Sequence, residues 1–347
     1  MPGHRPEHSP WRPVIIAVTR RRAKATPPAT STPTTAIPLN PTGLLPAIVT
    51  PFTEGGEIDH ESLARQCRWL ADVEGVTGLV CNGHAGEGLS LTEEERVAVV
   101  RAAIEATEGR VPVVAGVGAE GSRLAAAEAA RAAAAGAAGV LLYPTHIWLR
   151  MGYQRGAPQD RYRIVAEEAG VPLILFLYPS VTKASYDLET ILEICADPRV
   201  VAVKHGARDM GRWDTEIPIL RRELPELRIL TSTDEYLLHT LWEADGAILS
   251  YGALIPELLA DLIAAAGRHD YPAAKRIYDR IVPLTKTIYL REPHVTATVA
   301  LKAGLVHRGV IATDVVRSPL LGLDPASVAE VEAALEHAGV ELAIPTG

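Results

Sequence analysis

From Leu44 onward the chain repeats one arrangement: a short apolar run, then a longer stretch whose apolar residues recur at helical spacing. Successive parallel strands need a crossover, and a helix supplies it compactly, so this alternation predicts strand–helix units in a parallel α/β sheet. The runs are Leu44 to Thr50, Gly78 to Cys81, Val113 to Gly116, Gly139 to Leu142, Leu173 to Leu177, Val200 to Lys204, Arg228 to Ser232 and Ala247 to Ser250. Eight units in succession predict a closed (β/α)8 TIM barrel rather than an open doubly wound sheet, and no GxGxxG follows the first run. Between the runs, Thr92 with Glu95 forms a capping box ahead of Val97 to Ala106, and the alanine-rich stretch Ser122 to Ala135 ends at Gly136. After Ile255 to Ala266 come three more helical patterns, at about Pro272 to Tyr289, Val295 to Val306 and Pro325 to Ala338, with no strand among them. The expected organisation is a barrel over residues 43–270 and a C-terminal helical extension over 271–347.

A chain of 347 residues suits one such barrel, about 250 residues, plus an addition. With 48% hydrophobic and 22% charged residues it can fill a single large core. No apolar run nears the roughly 18 residues of a bilayer span, since Val14 to Val18 is cut off by Thr19 and three arginines, so no membrane segment is expected. Cys67, Cys81 and Cys195 are far apart, without CxxC or a Cys/His cluster, and read as reduced core thiols of a cytoplasmic protein with no metal site. Residues 1–42 are rich in Pro, Thr and Arg, lack periodicity, and are expected to be a disordered basic tail. As a targeting peptide this segment would have too short an apolar core for secretion. Because the tail is basic, the body is more acidic than the net charge of −8, which argues against a nucleic-acid partner.

In a barrel of this kind, chemistry belongs at the C-terminal strand ends, where side chains meet the loops. Lys204 closes the run Val200-Val201-Ala202-Val203 there. Burial among β-branched neighbours disfavours the ammonium, and a neutral amine attacks a ketone to give an imine; the alternative is a lysine that reaches out into solvent. After the second run stands Asn82-Gly83-His84-Ala85-Gly86-Glu87-Gly88, whose glycines let successive N–H groups converge on a carboxylate, as in the docking of a 2-oxo acid, or serve a plain βα connection. After the fifth, Phe176 and Tyr178 share a face, so an inward Phe176 brings Tyr178 in one step nearer the mouth, as a proton relay or as packing.

Taken together and in order, these elements resemble the dihydrodipicolinate synthase and N-acetylneuraminate lyase family of class I aldolases. The resemblance runs from about Gly43 to Leu323 through Thr50-Pro51-Phe52, Gly56, Asp59, Gly78 to Glu87, Glu95, Tyr178-Pro179, Ala202-Val203-Lys204 and Arg317-Ser318-Pro319-Leu320. It implies that Lys204 is the Schiff-base residue, that Gly83, His84, Ala85 and Ile248 contact a small-molecule 2-oxo acid substrate, that no cofactor is used, and that the chain assembles as a homotetramer.

The chain departs from the family pattern around the substrate. Where the family loop has two hydroxyl residues, this chain has His84 and Ala85; the backbone donors stay, and His84 becomes a possible acid or base. The family's relay tyrosine aligns with Phe176, which makes Tyr178 the substitute. The arginine that grips the second substrate's carboxylate in the synthase branch aligns with Val181. The family's paired tyrosines give way to Tyr143-Pro144-Thr145-His146, leaving His146 a further acid/base option. Trp148, Arg150 and Arg155 follow in the same loop, either lining an acceptor pocket or lying on the surface. His205 should face away from Lys204, and His239, His294 and His307 are read as helical, structural or exposed. The expected activity is that of a lyase acting on a pyruvate-type or 2-keto-3-deoxy acid through Lys204, by aldol cleavage, condensation or dehydration. The alternatives are the synthase of lysine biosynthesis and a non-catalytic ligand-binding barrel.

Overall fold

Each of the eight apolar runs becomes a strand, and their parallel register follows from the crossover helices between them. The computed structural model describes residues 39–294 and 297–343. Its strands are β1 (Gly43–Pro46), β2 (Leu79–Cys81), β3 (Val113–Val117), β4 (Gly139–Leu142), β5 (Leu173–Leu177), β6 (Val200–His205), β7 (Arg228–Thr231) and β8 (Gly246–Leu249). They pair in the order β1-β8-β7-β6-β5-β4-β3-β2, and bridges from Leu44 to Val76 and from Ala47 to Val80 join the first strand segment to the second and complete the ring. The helices are α1 (His60–Asp72), α2 (Glu93–Thr107), α3 (Ser122–Ala134), α4 (His146–Met151), α5 (Ala157–Ala169), α6 (Leu188–Cys195), α7 (Met210–Glu223), α8 (Leu237–Thr240), α9 (Pro256–Gly267), α10 (Tyr271–Ile288), α11 (Ala297–His307) and α12 (Pro325–His337). The predicted TIM barrel is the observed fold.

Local sequence signals act as expected. The Thr92 hydroxyl accepts from the Glu95 N–H while the Glu95 carboxylate accepts from the Thr92 N–H, closing the capping box of α2. Gly136, at φ +105°, takes the chain out of α3. The first strand ends at Pro46, and its backbone still bonds to both neighbours just beyond, Ala47 N–H donating to Leu249 O at 2.8 Å and Ile48 N–H to Val80 O at 2.9 Å. Beyond it, the Gln66 side chain takes over, accepting from Val49 N–H at 3.2 Å and donating to Val49 O at 3.1 Å.

Alternation along the strands separates two faces. Leu45, Val80, Val114, Leu141, Ile174, Ala202, Leu230 and Ile248 fill the barrel, while Val140, Leu173, Val203 and Ile229 face the helices. The extension shares the barrel's core: Leu301, Leu305, Val331 and Leu335 belong to the same buried cluster as Leu44, Leu63 and Leu259. Charged tie points reinforce it, with Lys302 of α11 paired to Glu87 at 2.5 Å and Arg317 forked onto Glu95 at 2.6 and 2.7 Å.

Cys67, Cys81 and Cys195 are buried and unpaired, as read. Among the described residues no helix is long and apolar enough to cross a membrane. Of the expected tail, residues 1–38 lie outside the described residues, as do Val295 and Thr296 of the predicted helix from Val295.

Candidate active site

The strand period that points Ala202 into the barrel also points Lys204 inward, one layer nearer the mouth. There a cavity of about 590 Å³ opens, lined by Gly83, His84, Ala85, Tyr143, Phe176, Tyr178, Lys204 and Ile248, among others. The structure therefore gathers Lys204, Tyr178, Gly83, His84, Ala85 and Ile248 in one chamber. Phe176 pairs with Lys204 across the β5–β6 ladder, and the lysine Nζ lies 3.9 Å from the centre of the Phe176 ring. Among the described residues the Lys204 side-chain amine makes no hydrogen bond to the chain. Part of its side chain is open to the cavity, yet protein surrounds it on every side. That enclosure pulls its pKa below the ordinary 10.5; the carboxylate of Asp234 works in the opposite sense and the charge of Arg208 in the same sense. Asp234 is itself buried, and burial pushes its carboxyl well above the usual range. The two groups are thus electrically coupled, and burial disfavours the charged form of each.

Opposite, the loop after β2 holds His84 against Tyr178: the phenol oxygen lies 3.0 Å from His84 Nε2. The His84 ring also stacks on Tyr143 with centroids 5.0 Å apart. Although the ring is exposed to the cavity, enclosure by the barrel wall and the charges of Lys204, His146 and Arg208 push its pKa below 6.5. His84 is therefore a neutral imidazole that exchanges a hydrogen bond with Tyr178. Burial raises the Tyr178 phenol, which stays protonated. The loop itself is tight, because Asn82 and Glu87 adopt left-handed backbone at φ +56° and +51°. A Cβ on Gly88 would stand 2.2 Å from Asn82 O, so only glycine fits. The backbone N–H groups of Gly83, His84 and Ala85 donate to no protein acceptor among the described residues. They are available to a carboxylate.

Other candidates fall outside the chamber. His146 begins α4 and is held at the surface by Glu120, whose carboxylate lies 2.8 Å from its Nδ1; it does not line the cavity. Trp148 packs on Tyr153 and Tyr186, Arg155 pairs with Glu189, and Val181 is 95% exposed. From the Trp148–Arg155 segment only Leu149 reaches the lining. His205 faces outward as expected, 3.2 Å from Glu216 and edge-on to Trp213. His294 corrects the reading made of it: it lines the cavity, with Nδ1 2.8 Å from Tyr289 O. Asp234, Arg208 and Ser250 also line the chamber without having been singled out. Asp234 had a signal, since Leu230, Ser232 and Asp234 continue the inward alternation past the end of β7. Among the described residues no group of three or more His, Cys, Asp or Glu side chains is placed to hold a metal ion.

The pattern of the dihydrodipicolinate synthetase family matches residues 40–338. A 4-hydroxy-tetrahydrodipicolinate synthase of Jannaschia sp. is 33% identical over 301 residues, covering 86% of this chain and 98% of the relative. That of Pseudomonas aeruginosa is 30% identical over 300 residues, with the same coverage of 86% and 98%. Among solved structures, the chloride-inhibited dihydrodipicolinate synthase from Acinetobacter baumannii complexed with pyruvate superimposes with a TM-score of 0.77 at 26% identity, covering 86% of this chain and 99% of that one. The enzyme from Thermotoga maritima reaches 0.79 at 24% identity, covering 86% and 99%, a likeness of fold.

Proposed function

The chain belongs to the dihydrodipicolinate synthetase family, whose members are lyases of the class I aldolase type, and on that premise we propose that Lys204 forms the Schiff base with a 2-oxo acid. One observation carries the assignment: the Lys204 amine faces the cavity without a hydrogen bond to the chain, and its enclosure holds the pKa down. The substrate carboxylate docks on the Gly83, His84 and Ala85 N–H groups, and Ile248 packs against the bound chain. The neutral amine adds to the ketone carbon, giving a carbinolamine. Expulsion of its hydroxyl as water gives the iminium, which withdraws electrons and stabilises an enamine after loss of a group or proton from C3. Tyr178 donates and recovers protons in these steps, and His84, hydrogen-bonded to its phenol, orients it. Asp234 can hold the proton that Lys204 gives up. His146 stands outside this scheme.

Treating the protein with pyruvate and borohydride tests the reading. A stable adduct mapped to the peptide containing Lys204 is expected, and an unmodified Lys204 overturns it in favour of a ligand-binding barrel. A second reading, the condensation for which the relatives are named, is favoured by their identity over nearly the whole barrel. Against it, Val181 stands where the family's carboxylate-gripping arginine is expected and points away from the cavity. Turnover of pyruvate with aspartate semialdehyde decides between them. The same family membership supports a homotetramer, which light scattering checks.

A further inference from the structure

Arg208 lies four residues beyond Lys204, just past the end of β6, and lines the cavity. Its backbone is left-handed at φ +52°, a conformation uncommon for a residue with a side chain and kept only where the surroundings impose it. Its charge also reaches Lys204, His84 and Asp234 electrically. Glu235 holds it by one edge: Nε donates to Glu235 Oε2 at 3.1 Å and lies 3.0 Å from Oε1. Structural pairs of this protein engage Nε together with a terminal nitrogen, as Arg199 does on Asp197 and Arg212 on Glu216. At Arg208 both terminal NH2 groups make no hydrogen bond to the chain among the described residues. Lys204 and Arg208 are the lysine and arginine side chains of the lining. β2 and β6 stand four strands apart in an eight-membered ring, so a substrate whose carboxylate sits at Gly83–Ala85 extends across Lys204 toward Arg208. A cavity of about 590 Å³ has room for a chain longer than three carbons.

We infer that Arg208 is a specificity-determining residue that receives a second anionic group, carboxylate or phosphate, at the far end of the 2-oxo acid. The inference rests on the Schiff-base reading above and adds the substrate class to it. Glu235 orients the guanidinium, while the two NH2 groups form charge-assisted bonds to the distal anion. Val181 leaves that task vacant, and Arg208 fills it from a different strand.

The test uses a matched pair of five-carbon acids, 2-oxoglutarate and 2-oxopentanoate, which differ only in the terminal group. Half-saturating concentrations for borohydride-trapped adduct are measured on the full chain and on Arg208→Gln. A pair of charge-assisted bonds predicts that the full chain saturates with 2-oxoglutarate at a concentration at least about tenfold lower, and that Arg208→Gln narrows the ratio to about twofold. Arg208→Lys, which keeps a cation without the fork, should fall between them and serves if the glutamine variant does not fold. A third probe, 2-oxo-4-phosphonobutyrate, separates the anions: tighter saturation than 2-oxoglutarate assigns the subsite to phosphate, and weaker saturation to carboxylate. Equal saturation by the matched pair in the full chain, or a preference that survives Arg208→Gln, overturns the inference while leaving the Schiff base intact. Failure to trap any 2-oxo acid, pyruvate included, removes both.

Discussion

Two lysines of this barrel are enclosed by protein and sit over a phenylalanine ring, and only one is placed to react. Lys204 Nζ lies 3.9 Å from the Phe176 ring and Lys302 Nζ lies 4.2 Å from that of Phe52. Burial lowers the pKa of each. Lys302, however, is 0% exposed and donates to Glu87 at 2.5 Å and to Val315 O at 2.8 Å. Its charge is held by a partner in contact, and its donors are committed to the fold. Lys204 has an anion within electrical reach, Asp234, but its amine makes no hydrogen bond to the chain and opens on the cavity. Enclosure therefore sets the stage for nucleophilicity, and the absence of a committed partner completes it.

The widest separation between the two comes from removing each in turn. Lys204→Met should abolish the pyruvate adduct and lower turnover by at least about a thousandfold, because no other lysine among the described residues lines the cavity; the melting curve should stay close to that of the parent. Lys302→Met should do the reverse. It strands the Glu87 carboxylate in a buried setting, at a cost of about 3–5 kcal/mol in urea unfolding, while molecules that remain folded still form the adduct. Loss of adduct in folded Lys302→Met would merge the two roles and break the comparison.

A smaller effect probes how Lys204 is served. Tyr178→Phe keeps the ring and removes the phenol that meets His84, so turnover should drop by about a hundredfold with adduct capacity retained. Unchanged turnover would pass the relay to His84 or to His294. The pH dependence sharpens the same point. Because the amine must be neutral, the trapping rate should rise with pH through a midpoint well below the ordinary lysine value of 10.5. The Asp234 carboxylate favours the ammonium, so Asp234→Asn should move that midpoint further down, by about one pH unit.

The sequence revealed one of these lysines and concealed the other. Lys204 is legible because a strand end has a fixed address in a barrel, and the same period placed Phe176 and Tyr178 on one inner face. The eight strands were legible for the same reason, since a buried parallel strand is a contiguous apolar run. Lys302 lies 215 residues from Glu87, and nothing in a helix's own spacing announces a partner so distant. Arg208 and His294 were missed because they stand in loops or at their edges, where side-chain direction depends on backbone turns, whereas Asp234 follows the alternation of β7 and was missed because it lies beyond the apolar run. The left-handed φ of Arg208 leaves no trace in the residue order, since the position carries neither glycine nor asparagine.

The most modest effect belongs to the second tie between extension and barrel, where partial exposure replaces burial. Arg317 grips both oxygens of Glu95, and their side chains are 19% and 22% exposed. This pair gives up less solvation than Lys302 and Glu87 and regains correspondingly less, so Arg317→Met should cost about 1 kcal/mol. Its sign with pH is determined by Glu95, whose pKa is lowered from 4.5 to about 2, first by the hydrogen bonds from Arg317. A carboxyl depressed in the folded state stabilises fully above its unfolded pKa and loses that contribution as pH falls through the folded one. The difference between the parent and Arg317→Met in urea unfolding should therefore be constant near neutrality and shrink between about pH 4.5 and pH 2. A difference that persists undiminished at the acid end would mean that Arg317 acts through its packing on the Phe52 ring, 4.5 Å away, rather than through its charge.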